Sequence, residues 1–406
     1  MDTLNPQRDG GVLWGVGPAP RWGSVSPPWL VPKLNSLFAS QLGEGTGYVS
    51  LFSGCGGLDL PFHLAGSHCL WANDIDRVAC ETFRHNIADV ITSQDIREVD
   101  PTELGLGSVD LIIGGFPCQD FSVVWKRPGL DGARGSLYWE FRKFVDALKP
   151  KVFVAENVKG LLSANRGRAI QRITADFESA NPGYKLFYRL YNFADYGVPQ
   201  LRERVIIVGV RKDFATFFCH PEPTHGHGRL PHVTAGRALE RIEATAPNNE
   251  KLPVRSRTVE ILKRIGPGGN FQDIDQDDPY YVKGMISHVY RRIDPCKPAM
   301  TLIANGGGGT WGYHYPEPRP LTNRERARLQ SFPDEFVFFG THAEIRRQIG
   351  NAVPPEGAAH VAEQVLRLLK SPESVLTGSA DSAHANLSFE DIEGFIAESC
   401  STPTRP

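Results

Sequence analysis

The sequence lacks several features that would assign the chain to a specialised class of protein. No uninterrupted run of about 18 apolar residues occurs, so we expect no transmembrane helix. The N-terminus has no basic segment followed by an apolar one, and we expect no secretory signal. Its seven cysteines never form a Cys-x-x-Cys pair, which argues against a zinc ribbon or a disulfide framework and favours a reducing, cytoplasmic compartment.

Two further absences concern ligands. Basic residues are not in excess, with 44 Lys and Arg against 46 Asp and Glu, so binding to nucleic acid would depend on local clusters. The glycine-rich segment 52–57 has neither Gly-x-Gly-x-x-Gly spacing nor a P-loop pattern, which weakens dinucleotide and nucleoside-triphosphate interpretations. Hydrophobic residues make up 41% of the chain, as in an ordinary globular protein with a large core.

What the sequence does contain is an alternation of short apolar runs with helical patterns. The runs predict strands at 48–52, 70–72, 109–113, 151–155, 184–190 and 204–210. Helices are predicted at 77–88, 138–148 and 166–180. This order predicts an α/β fold built on a doubly wound, Rossmann-like parallel sheet.

Composition changes in three other segments. Residues 1–44, rich in Pro, Gly and Trp, predict an N-terminal extension of turns and extended chain rather than a packed domain. Residues 213–318 lose the alternation and predict a second, irregular domain, while 45–212 and 319–370 form two parts of the main one. A capping box predicts a helix at 322–332. The segment 371–406, rich in Ser and acid, predicts a flexible tail.

A cysteine stands just beyond one predicted strand. Cys118 follows the strand at 109–113 after two glycines and a proline, which places its thiol at the carboxyl edge of the sheet. Ligand-binding and active sites are commonly located at that edge of an open α/β sheet. A lone cysteine is more often a buried structural residue, but this position favours a nucleophile.

Acidic residues follow other predicted strands. Asp74 is placed to accept hydrogen bonds from ribose hydroxyls, and Asp95 to accept one from an adenine amine. Each acid alone is more often a helix cap or a loop residue. Together with the glycine-rich turn at 52–57, they predict an adenosyl ligand without a pyrophosphate.

A series of short motifs occurs in order across residues 48–370. They lie at 52–57, 73–76, 95–96, 115–122, 131–138, 156–158, 200–204, 319–322 with 328–333, and 348–354. Each is weak alone, whereas their shared order and spacing are specific. On these motifs the chain resembles the DNA (cytosine-5) methyltransferases of the bacterial type.

The resemblance implies a class I methyltransferase fold with a target-recognition domain at 213–318. It implies that S-adenosylmethionine is the cofactor and that double-stranded DNA is the substrate. The methyl group would go to C5 of a cytosine within a specific sequence. Because a stacked base cannot present its ring to a thiol, the cytosine must be flipped out of the duplex.

The resemblance also implies four catalytic residues. Cys118 would add to cytosine C6, and Glu156 would donate a proton to N3, which requires a raised pKa of the kind that burial gives. Taken alone, Glu156 is equally well explained as a carboxylate at a helix N-terminus. Arg202 and Arg204, at alternate positions, are expected to converge on one pocket.

The expected binding residues form two sets. Those for the cofactor are Phe52, Gly54, Gly56, Gly57, Asp74, Ile75, Asp95, Ile96, Pro117, Leu137, Asn351 and Ala352. Those for DNA are Gln119, Ser122, Lys126, Arg127, Arg134, Gln200, Arg255, Arg257, Arg291 and Arg292. Segment 119–136 suits a loop that closes over the substrate, and the basic residues of 213–318 suit phosphate contacts.

Two other functions fit the same sequence features. The same chemistry could act on tRNA, or the chain could be a catalytically inactive DNA-binding regulator. Under the main hypothesis we expect a monomer with a cognate restriction endonuclease as functional partner. We expect no metal, because the spacing of Cys219, His220, His225, His227 and His232 fits no structural zinc pattern.

Overall fold

The computed structural model describes residues 25–117, 137–215, 217–283, 289–304 and 312–372. Within them, seven strands form one sheet in the order β3-β2-β1-β4-β5-β7-β6. The strands are β1 Gly47–Leu51, β2 His68–Asp74, β3 Ile91–Ser93, β4 Leu111–Gly114, β5 Val152–Val158, β6 Tyr184–Asn192 and β7 Glu203–Arg211. The α/β, Rossmann-like fold is thereby confirmed.

One strand departs from the predicted parallel sheet. The pairs among β1 to β5 are parallel, but β7 pairs antiparallel with both β5 and β6. The prediction of an all-parallel sheet is therefore wrong at β7. A parallel neighbour needs a long crossover connection, whereas a short turn around the 3-10 helix Phe193–Tyr196 joins β6 to β7.

Helices cover both faces of the sheet. In the described residues they are α1 Pro32–Ser40, α2 Leu60–Leu64, α3 Arg77–Asn86, α4 Leu137–Leu148, α5 Gly160–Ser163, α6 Arg168–Glu178, α7 Ala235–Ala238, α8 Ser256–Lys263, α9 Asn323–Leu329, α10 His342–Asn351 and α11 Pro355–Lys370. Successive residues of β4 enter opposite cores: Leu111 and Ile113 on one face, Ile112 on the other. No helix within these ranges is long and apolar enough to cross a membrane.

The described part of the N-terminal segment is packed, contrary to the prediction for 1–44. Val31, Leu34 and Leu37 are buried in the main core, and α1 lies against α2 and α11. The buried carboxylate of Glu356 accepts hydrogen bonds from the backbone N–H groups of Lys33 and Leu34, at 2.7 and 3.0 Å. The Pro-rich composition concealed this helix because its proline sits at the first helical position, where no donor is lost.

The described part of the segment 213–318 contains only short helices. A small cluster of Ile261, Ile265 and Ile274 packs within the segment. Phe218 and Leu239, however, belong to the main core. The segment is therefore anchored on the rest of the fold. Residues 373–406 of the predicted tail lie outside the described residues.

Candidate active site

A cavity of about 640 Å³ opens at the carboxyl ends of β1, β2, β4 and β5. The strand order changes direction between β1 and β4, which is where open α/β sheets bind their ligands. One wall carries residues 52–54 and 57 with Asp74, and the opposite one carries Glu156, Asn157 and Arg204. The residues expected to bind the ligand and those expected to transfer a proton therefore line a single cavity.

The glycine-rich turn brings backbone close to the cavity. Gly54 has a left-handed backbone (φ 55°) and donates its N–H to Asp74 Oδ2 at 2.7 Å. A Cβ added at Gly57 would lie 2.5 Å from the carbonyl oxygen of Val353, so only glycine fits between the turn and that segment. Gly56 does not line the cavity; an added Cβ there would meet Ile87 at 2.9 Å. Its role is packing of the turn.

The acids expected to bind adenosine lie along the same wall. Asp74 accepts backbone N–H groups at both carboxylate oxygens, from Gly54 and from Asp76, and burial raises its pKa. Asp95 lines the cavity and pairs with Arg97, whose hydrogen bonds lower the pKa of Asp95 to about 2. Ile75 is 72% exposed and also lines the cavity. This wall suits an adenosine-like ligand.

The last helices of the main domain complete the wall. Asn351 and Ala352, at the end of α10, line the cavity, as do Phe52, Ile96, Pro117 and Leu137. Cβ of Ala352 would lie 3.1 Å from a Cβ built on Gly57. The distant C-terminal motif is thus packed directly against the first one.

Glu156 and Arg204 form an ion pair on the opposite wall. The two residues lie on the antiparallel strands β5 and β7, and Arg204 Nε is 2.7 Å from Glu156 Oε1. Burial raises the pKa of Glu156, and the nearby Arg204 and Arg202 lower it; the net direction is upward. A carboxyl group whose pKa is raised in this way holds a proton more readily than an exposed one and can donate it to a base.

The segment leading to Cys118 is fixed against the same strand. Asn157 Nδ2 donates to the carbonyl oxygen of Phe116 at 2.9 Å, and a Cβ on Gly115 would lie 3.0 Å from Glu156 Oε2. Cys118 itself lies outside the described residues. The first described range ends at Pro117, two residues after Gly115. Asn157 was not among the predicted site residues, although it lies next to Glu156 in the same motif.

Arg202 does not occupy the position expected of it. It is 1% exposed and does not line the cavity; instead it donates to the carbonyl oxygens of Gly350, at 2.9 Å, and Leu302, at 3.4 Å. Burial lowers the pKa of Arg202 to about 9. The charge of Arg202 lowers the pKa of Glu156, but its hydrogen bonds go to backbone carbonyls. Of the two arginines expected to converge on one pocket, Arg204 lines the cavity and Arg202 does not.

Two of the side chains expected to contact DNA are buried in this structure. Gln200 is fully buried, its amide donating to Leu329 O at 3.2 Å and accepting from Leu302 N at 3.0 Å. Arg292 is 7% exposed and donates to the backbone carbonyls of four residues: Leu262, Ile265, His314 and Tyr315. In an irregular segment these carbonyls lack sheet partners, and a guanidinium with five donors satisfies several at once.

The remaining DNA candidates divide into two groups. Arg255 and Arg257 are exposed at the start of α8, with the Arg257 guanidinium 5.6 Å from the ring centre of Tyr280, and Arg291 is half-buried. Outside the described residues lie Gln119, Ser122, Lys126, Arg127 and Arg134. These assignments stay predictions.

The histidine-rich segment is tied into the fold by ordinary hydrogen bonds. His220 Nδ1 lies 2.7 Å from Tyr191 Oη, and His232 Nε2 lies 2.8 Å from Asp195 Oδ1. Within the described ranges, no group of three or more His, Cys, Asp or Glu side chains could hold a metal ion.

Comparison with known proteins adds sequence relatives and structural neighbours. The family model described as C-5 cytosine-specific DNA methylase matches residues 47–367. The chain is 59% identical over 322 residues to Type II methyltransferase M.NgoFVII of Neisseria gonorrhoeae, covering 78% of this chain and 86% of that protein. It is 48% identical over 307 residues to Type II methyltransferase M.BbvI of Brevibacillus brevis, covering 73% and 81%.

Solved structures share the fold at lower identity. A protein encoded within an Escherichia coli prophage gives a TM-score of 0.64 at 22% identity, covering 80% of this chain and 100% of that one. The Entamoeba histolytica methyltransferase EhMeth gives 0.57 at 16% identity, covering 80% and 98%. Since the family model spans most of the chain and a close relative covers the same region, this chain belongs to the C-5 cytosine-specific DNA methylase family.

Proposed function

We propose that the chain is a DNA (cytosine-5-)-methyltransferase that transfers a methyl group from S-adenosylmethionine to C5 of a flipped-out cytosine in a specific duplex sequence. The observation that carries the proposal is the Glu156–Arg204 pair, 2.7 Å apart, in the same cavity as the glycine-rich turn and Asp74. One wall fits an adenosyl ligand and the other can supply a proton. Few other chemistries need both groups side by side.

The residues present fit the cofactor. Gly54 and Gly57 allow close approach of backbone, and Asp74 and Asp95 supply acceptors at the ends of neighbouring strands. S-adenosylmethionine, when bound there, supplies an electrophilic methyl group. Asp74 and Asp95 would hold the ribose and the adenine, and Asn351 and Ala352 would close the space from the other side.

The chain's own groups would prepare the cytosine to accept that methyl group. The Cys118 thiolate adds to C6, and the electron pair displaced from the ring is taken up as N3 receives the Glu156 proton. C5 then has the character of an enamine carbon. After methylation, loss of the C5 proton to a base, for which we propose water, expels the Cys118 thiolate and restores the ring. N3 returns its proton to Glu156.

Arg204 has a positioning role in this scheme. Its Nε holds Glu156 Oε1, which leaves the second carboxyl oxygen for the proton that goes to N3. Oε2 is the oxygen beside Gly115, three positions before Cys118 in the sequence. The acid and the nucleophile would thus meet the base from neighbouring points.

DNA is the polymer best supported. The relatives that match most of the chain are named Type II methyltransferases, which favours DNA over tRNA. Retention of the Glu156–Arg204 pair argues against an inactive regulator. We further propose that the enzyme is a cytoplasmic monomer, associated with the nucleoid through DNA, which protects its host against a cognate restriction endonuclease.

Transfer of labelled methyl groups tests the proposal. Purified protein incubated with methyl-tritiated S-adenosylmethionine should label duplex DNA and not tRNA, and Cys118→Ala should abolish labelling. Cys296→Ala, which removes an exposed cysteine far along the chain, is the matched control and should label normally. Labelling of tRNA alone would support a tRNA methyltransferase. Labelling of neither polymer would support a catalytically inactive DNA-binding regulator.

Trapping provides an independent measurement. An oligonucleotide carrying 5-fluorocytosine in the recognition sequence should form a permanent adduct at Cys118 when cofactor is present, because fluorine cannot leave as a cation. Mass spectrometry of the peptide locates the bond. An active enzyme without this adduct would exclude covalent addition through Cys118.

A further inference from the structure

A group of buried polar side chains lies directly behind the glycine-rich turn. Asp59 precedes α2, and Tyr48 and Ser50 lie on one face of β1. All are at most 1% exposed. Among the described residues, Tyr48 Oη, Ser50 Oγ and both carboxyl oxygens of Asp59 have no partner in hydrogen-bond geometry. Buried polar atoms almost always have such partners, so this group needs an explanation.

Asp59 also lacks a counter-charge. No ion pair within the described ranges involves it, and no Lys, Arg or His contributes to its pKa. Burial raises that pKa to about 7, and Ser50, close by but not in bonding geometry, lowers it slightly. A buried carboxyl group without a cation is costly to keep in a fold. Its complement is therefore a cation that arrives from outside the chain.

The surroundings show where that cation would lie. Asp59 and Ser50 both border the cavity, next to Gly54, Cys55 and Gly57 of the turn. Tyr48 and Cys69 from the sheet and Cys55 from the turn are the titratable groups whose pKa values respond to Asp59. None of them can carry a positive charge.

The strand order then assigns the cation to one part of the cofactor. Along the sheet edge, Asp95 follows β3, Asp74 ends β2, Asp59 lies behind the turn after β1, and Glu156 is on β5. A ligand with its adenosine at Asp95 and Asp74 and its methyl group towards Glu156 must place its amino-acid part near β1. The non-reacting cation of that part is the α-ammonium group.

We propose that Asp59 is a positioning residue that supplies the counter-charge for the α-ammonium group of the cofactor. Ser50 and Tyr48 lie near its carboxyl group behind the turn, without hydrogen-bonding to it in this structure. The inference rests on the proposed function, because it takes an S-adenosyl amino acid as the ligand. It adds a recognition element for the amino-acid part, which none of the motif residues was expected to bind.

A thermodynamic cycle on binding tests the role without turnover. Calorimetry would measure the affinity of wild type and of Asp59→Asn for two ligands. They are S-adenosylhomocysteine and its desamino analogue, in which hydrogen replaces the ammonium group. We expect Asp59→Asn to raise the Kd of S-adenosylhomocysteine about 10- to 100-fold, as for loss of a charged partner. The Kd of the desamino analogue should change by no more than about two-fold. Asp213→Asn, which removes an exposed acid paired with Arg211, is the control and should bind both ligands as wild type does.

The outcomes separate this inference from the proposed function. Equal losses for both ligands in Asp59→Asn would assign Asp59 a purely structural role and overturn the inference while leaving the function intact. Unchanged affinity for both ligands would also overturn the inference and leave the proposed function intact. Wild type that binds neither ligand would overturn the proposed function, and the inference with it. Since the analogue must still bind Asp59→Asn, its binding also reports that the variant is folded.

Discussion

At the scale of single residues, the proton on Glu156 is the feature on which the proposed chemistry depends. Burial raises the pKa of Glu156 despite the guanidinium 2.7 Å away. The pair therefore keeps a carboxyl group that is oriented by a cation yet remains able to hold a proton. An exposed glutamate at this place would be ionised at neutral pH.

Glu156→Gln tests that role. The amide keeps the shape and can still contact the base but cannot protonate it, so we expect kcat to fall about 10²- to 10⁴-fold while the Kd for DNA changes little. Single-turnover methylation and DNA-binding titrations measure the two quantities. Glu203→Gln, an exposed neighbour paired with Lys159, is the control. Equal losses in rate and binding would contradict an acid role.

At the scale of elements, the arginines of 213–318 fall into two kinds that look alike in sequence. Arg292 ties α8 to the strand-like segment around Tyr313 through backbone carbonyls, whereas Arg257 is exposed on α8 itself. The first holds the segment together. Arg257 is exposed and can contact a phosphate of the DNA backbone.

Substituting each of them by methionine separates the two roles. Arg292→Met leaves buried carbonyls without donors, and we expect unfolding to become easier by about 1–3 kcal/mol. Arg257→Met should change the free energy of unfolding by no more than about 0.5 kcal/mol. It should reduce the slope of log K for DNA binding against log salt concentration by about one. Urea unfolding and DNA titrations at several salt concentrations measure both. A stable Arg292→Met with weakened DNA binding would reverse the assignment.

The junction between α1 and α11 should respond to pH through Glu356. Burial raises the pKa of Glu356 to about 8, so between the unfolded value of about 4.3 and this one the folded chain binds more protons than the unfolded chain. Stability contributed by this site is thus greatest at low pH and falls as pH rises to about 8, by up to about 5 kcal/mol in total.

Comparison with Glu356→Gln isolates that contribution. The free energy of unfolding of wild type relative to the variant should decrease between pH 5 and pH 8 and then level off. Urea unfolding at several pH values measures it. A difference that is constant with pH, or that grows as pH rises, would show that Glu356 is ionised in the folded chain.

At the scale of the whole molecule, the N-terminal helix is part of the main fold. Leu34 lies in the same core as residues of α2 and α11. We expect Leu34→Ala to lower the free energy of unfolding by about 2–5 kcal/mol in one cooperative transition. Leu230→Ala, at a side chain 62% exposed, should change little. Calorimetry that resolved a separate early transition in Leu34→Ala would mean that α1 is an independent appendage.

Much of the architecture was predictable because it depends on local pattern. Acids close to strand ends, such as Asp74 at the end of β2 and Glu156 in the last half of β5, were visible in the sequence after apolar runs. The capping box at Thr322 and Glu325 was confirmed at the start of α9. The antiparallel direction of β7 was missed, although the lack of a crossover helix before it was visible.

The sequence by itself determined the order of strands and helices and brought Asp74 and Glu156 to strand ends, since periodicity and motif order are properties of neighbouring residues. Only the tertiary structure decided which polar groups face the cavity. Arg202 bonds to Gly350, Gln200 to Leu329 and Arg292 to Tyr315. The Asp59 carboxyl group finds no hydrogen-bond partner in the part of the chain that the structure describes. Whether a polar group is satisfied depends on carbonyls and charges far away in the chain, which local pattern does not record.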